Sequence, residues 1–97
     1  MNKKMIIINN NEELVDLYSH EEFGLSFEIP SYQVIGSVKD NEIRVNCEGT
    51  GDFYKGIVRG QSIEIEGEIF EGETLKMLGD IITHLNDKYG LFGILSI

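Results

Sequence analysis

The chain has 97 residues, 41% of them apolar, with seventeen acids against eight bases and a net charge of −9. That length fits one domain over residues 1–97 with one modest core. The acid excess disfavours binding to nucleic-acid backbone or to an anionic membrane surface, and leaves a basic protein as the partner that charge favours, with simple solubility as the competing explanation.

Lys4 to Ile8 reads as a first strand, an apolar run of the kind covered on both faces. The run is too short for a signal-peptide core or a bilayer span. Asn9-Asn10-Asn11 stops it. Asn10 with Glu13 resembles a capping box, and Leu14, Val15, Leu17 and Tyr18 give one helical face. The spacing therefore predicts a short N-terminal helix from about Asn11 to Glu22, broken by Gly24. Leu25, Phe27 and Ile29 then alternate with polar residues as a half-buried strand, and Pro30 ends it.

A four-stranded antiparallel meander is predicted over about 32–70: Tyr32 to Lys39, Glu42 to Glu48, Phe53 to Arg59, and Ser62 to Phe70. Asp40-Asn41 and Gly60-Gln61 fit two-residue hairpin turns, and residues 49–52 fit a four-residue loop. All three turns place the same residues on one face, and a one-residue slip would exchange the faces. The inner rows are Val38, Ile43, Val58, Ile63; Gly36, Val45, Gly56, Ile65; and Val34, Cys47, Tyr54, Gly67. The glycines leave notches where another element can approach.

Glu73 to Tyr89 supplies that element. Leu75, Leu78, Ile81, Ile82, Leu85 and Tyr89 follow the spacing of an amphipathic helix, Gly90 is placed to cap it, and Gly79 marks a close approach to the sheet. Leu91 to Ile97 reads as a buried last strand. It either pairs with the first strand or extends the meander. The expected fold class is α+β: the meander, the long C-terminal helix on its inner face, the short first helix and additional terminal strands.

No catalytic, cofactor or metal constellation emerges. His20 and His84 are isolated and read as solvated, since zinc needs three or four clustered ligands. Cys47 falls on the inner face and reads as a small core hydrophobe. As the single cysteine it forms no internal disulfide, which fits a reducing, cytoplasmic setting. Residues 49–52 are glycine-rich but lack the GxxxxGK[ST] pattern of a phosphate loop. Absent alanine, abundant isoleucine and lysine over arginine fit an AT-rich bacterial or phage genome.

The outer face is the unusual feature. Its rows are Ser37, Arg44, Ile57, Glu64; Ile35, Asn46, Lys55, Glu66; and Gln33, Glu48, Phe53, Glu68, with Lys55 set to pair with Glu66. Phe53 and Ile57 stand among acids where a half-buried sheet needs only polar residues. One reading covers them with the first helix or the Leu25–Ile29 segment. The other makes Glu48, Phe53, Ile57, Glu64, Glu66 and Glu68 a docking surface for a basic protein, with an apolar centre and an acidic rim. The functional expectation is a small non-enzymatic binding protein, of the kind that immunity proteins and phage inhibitors exemplify, occluding a basic surface. The alternative is a small-ligand or accessory domain with a pocket between the glycine notches and the long helix. Pairing of edge strands between copies is a further route to a homo-oligomer.

Overall fold

The computed structural model describes residues 2–20 and 24–91. Eight strands follow one another in a single antiparallel sheet, each hydrogen-bonded to its neighbours in sequence. They are β1 (Asn2–Ile8), β2 (Asn11–His20), β3 (Gly24–Ile29), β4 (Val34–Lys39), β5 (Glu42–Cys47), β6 (Asp52–Arg59), β7 (Ser62–Ile65) and β8 (Glu68–Glu71). The only helix among the described residues with more than one turn is α1 (Thr74–Tyr89). The meander is thus twice as wide as the four strands expected. It curls into a half-barrel, and α1 packs along β1 and also touches β8, the first and last strands.

The predicted N-terminal helix does not form. Residues 11–20 are β2, joined to β1 by a tight turn in which Asn9 and Asn10 both have positive φ, 52° and 66°. That pair is the signature of a hairpin turn whose twist matches its strands, and asparagine tolerates it. In the strand, Val15 is fully buried while Leu14 is half-exposed, so neighbours that would share a helical face point to opposite sides. β1 itself buries Ile6 and Ile8 only. Met5 and Ile7 are exposed, so the first strand is covered on one face rather than two.

The expected inner face holds except at Gly67, which lies in an exposed turn. Val38 opposes Ile43, Gly36 opposes Val45 and Val34 opposes Cys47. Across the next loop the register moves by two: Cys47 opposes Asp52, Val45 opposes Tyr54 and Ile43 opposes Gly56. An even shift keeps every side chain on its face. The predicted strand over 62–70 is in fact two. Glu66 and Gly67, at φ 55° and 79°, turn the chain between β7 and β8, and Ile65 opposes Glu68.

The core fills the concave side. Ile43, Val45, Cys47 and Ile65 from the sheet meet Leu78, Ile81, Ile82 and Leu85 from α1, all 0–1% exposed. The Glu73 carboxylate accepts the Leu75 N–H at 3.0 Å, and Gly90 closes the other end at φ 67°, its N–H donating to the Asn86 carbonyl. A Cβ built on Gly79 would lie 2.3 Å from the Ile7 carbonyl oxygen. The helix therefore lies against the outermost strand, and the Asn9 N–H donates to Thr83 Oγ1 at 3.0 Å. Covering that edge removes a template for pairing with other chains. The expected last strand falls almost wholly outside the described residues. Only Leu91 is seen, buried, its N–H donating to Asn86 Oδ1.

Candidate functional site

The glycine notches are occupied. A Cβ on Gly36 would meet the Phe27 ring at 2.1 Å, and one on Gly56 would meet Ile43, Ile65 and the Glu64 carbonyl oxygen, all within 3 Å. Neither glycine therefore leaves an open notch. Cys47 is fully buried, and its thiol is pushed up to about 11 by burial and by the charge of Asp52. A thiol so suppressed is a core group rather than a nucleophile. Tyr54 is pushed up to about 12, again first by burial and then by Asp52. Its ring stacks on Tyr89 at 4.9 Å and ties the end of α1 to β6. His84 is not freely solvated. Its Nε2 is buried with no hydrogen-bond partner, and its ring meets Phe70 edge-on at 5.7 Å. His20 ends a strand rather than a helix. The described residues contain no cluster of three or more metal-ligating side chains, and none of their helices is long and apolar enough to cross a membrane.

The convex face remains. Phe53 and Ile57 stand on β6 at 49% and 48% exposure. The segments proposed to cover them, 11–20 and 25–29, are strands of the same sheet and lie beside them, not over them. Ile35 and Ile69 are exposed on the same side, as are Met5, Ile7 and Leu14 at the β1–β2 end of the sheet, and beside β6 it is Ile69 that the sequence pattern placed inside. A continuous strand over 62–70 puts Ile69 inside. The turn at Glu66–Gly67 reverses the phase and sets it opposite Glu64. The signal was Gly67, a glycine following a polar residue, as in positive-φ hairpin turns.

The same turn redistributes the predicted acids. Glu64 stays on the convex face between Ile57 and Ile69, 3.5 Å from Arg59. Glu66 leaves it: its carboxylate accepts the Tyr89 hydroxyl at 2.9 Å and lies 3.9 Å from Lys88. Glu68 is exposed but follows the inner-face register opposite Ile65. Glu48 is exposed in the β5–β6 loop, its N–H donating to the Gln33 carbonyl. The expected Lys55–Glu66 pair is absent, because β7 ends at Ile65 and the Glu66 carboxylate is bonded to Tyr89; on its other side Lys55 lies directly opposite Arg44.

The face is consequently mixed in charge. Lys39, Arg44, Lys55 and Arg59, half of the chain's eight bases, share the convex side of β4–β6. Glu42, Glu64 and Glu71 share it with them. Arg44 Nε donates to Glu42 at 2.6 Å, and this bond holds the Glu42 carboxyl below the usual range. Arg44, Lys39, Glu42 and Asp40 wall a shallow depression of about 440 Å³ floored by Ser26 and Ser37, which oppose each other on β3 and β4. The face thus sets the exposed Phe53, Ile57, Ile35 and Ile69 among four bases and three acids. No protein-family model, curated protein or solved structure matches this chain.

Proposed function

We propose that this protein is a non-enzymatic binding module that occludes a basic surface of a partner protein, with the convex face of β6 as its docking site. The observation that carries the reading is the exposure of Phe53 and Ile57 on a sheet face that none of the described elements covers. A sheet with one solvated face ordinarily presents polar residues there, and apolar side chains at the centre of a polar surface act as binding anchors. The net charge of −9 favours encounter with a basic partner. Glu48, Asp52, Glu68 and the convex-face Glu71 are among the exposed acids without an ion pair among the described residues, and are free to steer it.

Capture from a lysate, with tagged protein at low and high salt, tests both halves. A basic partner retained by the native chain should be lost with Phe53→Asp/Ile57→Asp. It should be captured more slowly, and with weaker salt dependence, by Glu48→Lys/Glu68→Lys. Undiminished capture by the Phe53/Ile57 variant would remove β6 from the interface. Capture insensitive to salt and to the lysines would remove the basic partner.

A further inference from the structure

The centre of the convex face contains an arrangement that the basic-partner reading does not use. Arg44 and Lys55 are directly opposed cross-strand neighbours. Like charges in that position repel; Lys55 acts on the Glu42 carboxylate from a distance but makes no ion pair with any described acid. The chain carries seventeen acids, yet this basic pair has only Glu42 bonded to it, through Arg44 Nε. The next row runs Lys39, Glu42, Ile57, Glu64, Ile69, acidic on β5 and β7 and basic only at its β4 end. Base-bearing and acid-bearing rows therefore lie side by side, with exposed apolar residues in both directions.

We infer that this face associates with a second copy of the chain. A two-fold axis lying in the contact plane, across the strands and between the two rows, places each row of one copy over the other row of its partner. Glu42 of each copy then meets Arg44 of the other, and Lys55 comes within reach of Glu42 and Glu64. An isologous contact requires such self-complementarity. The axis turns the intrachain Arg44–Glu42 bond into a four-charge ring and gives Lys55, which in its own chain acts on Glu42 only from a distance, a carboxylate to pair with. Ile57, Phe53, Ile35 and Ile69, all 39% exposed or more, are available to be covered around it. The balance of charge on this face matters because two chains at −9 repel everywhere else. The 28 residues of β4–β8, at ~3.3 Å per residue and ~4.8 Å between strands, give roughly 440 Å² of projected area. That is below the ~800 Å² per partner of a standard interface, in the size class of weak and transient contacts.

Sedimentation of the native chain over a micromolar-to-submillimolar series is the test, with two charge-reversed variants and their mixture. The native chain should pass from monomer to dimer mass. Arg44→Glu/Lys55→Glu and Glu42→Lys/Glu64→Lys should each weaken self-association more than about tenfold. An equimolar mixture of the two should recover dimer mass, a result that unfolded variants cannot give. A native chain monomeric throughout overturns the inference. So does a dimer indifferent to both variants, or a mixture that stays monomeric. None of these outcomes touches capture of a basic partner, so the two readings fail separately; if both hold, partner and second copy compete for one face.

Discussion

Residues 11–20 and residues 74–89 present the same apparent signal and fold differently. Each carries apolar residues spaced for a helical face: Leu14, Val15, Leu17 and Tyr18 in the first, Leu75, Leu78, Ile81, Ile82 and Leu85 in the second. The first is strand β2 and the second is helix α1. The difference lies in length and punctuation. In α1 the pattern persists through several turns and ends at both sides in groups that satisfy the exposed backbone, Glu73 and Gly90. In β2 four apolar residues span barely more than one turn, and the same four satisfy alternation if Leu14 and Tyr18 face outward. Asn9-Asn10 then decides the matter, because it builds a hairpin that delivers residue 11 directly onto β1.

Truncation separates the two segments most strongly. Ile81 and Val15 are both fully buried, and Leu14 is half-exposed. Ile81→Ala should cost ~2–5 kcal/mol, and Val15→Ala should cost more than Leu14→Ala. Leu14→Ala should fall within ~0.5 kcal/mol of the native chain. Denaturant midpoints at unchanged slope would give the three values. Equal losses at positions 14 and 15 would restore the helical face to residues 11–20.

A smaller effect tests the junction where the segments meet. Gly79→Ala gains about 1 kcal/mol of helix propensity, but its methyl group would land 2.3 Å from the Ile7 carbonyl oxygen. Backbone cannot yield as a flexible side chain does, so the net result should be a loss of ~1–3 kcal/mol. Protection of the β1 amides against hydrogen exchange should fall with it. A stabilised Gly79→Ala chain would mean that α1 does not lie against β1.

The same contrast explains which parts of the molecule could be read in the sequence. From β4 to β7 the faces were legible because three turns independently imposed one phase, and a misplaced loop shifted the register by two without exchanging them. The helix was legible because its pattern was long and capped. The fourth strand misled because Glu66-Gly67 interrupts an alternation that runs on through Ile63, Ile65 and Ile69 in sequence. One unrecognised turn carried Glu66 to Tyr89, moved Glu68 into the inner-face register and brought Ile69 onto the candidate site. Phe53 and Ile57 were legible as outward-facing because β6 lies before that turn. The Arg44–Lys55 opposition was not, because it depends on the β5–β6 register, the one quantity a two-residue shift alters.

The finest distinction between the two segments is the residue that starts the first of them. If Asn10 capped a helix, replacing it with glycine would cost a few tenths of a kcal/mol. In the hairpin Asn10 has φ 66°, the second of two consecutive positive-φ positions. Asparagine followed by glycine is the favoured pair there, and glycine adopts that conformation without a Cβ penalty. Glycine also loses more backbone freedom on folding, which offsets part of the gain. Asn10→Gly should therefore stabilise the chain by up to ~0.5 kcal/mol. Because β1 and β2 are joined by this turn and α1 lies on β1, the gain should reach the α1 amides in hydrogen exchange as well as the hairpin. A small loss instead of a gain would return position 10 to the start of a helix. Stabilisation confined to β1 and β2 would show that the hairpin opens without the helix, and that Gly79 and Thr83 hold the edge less firmly than their contacts imply.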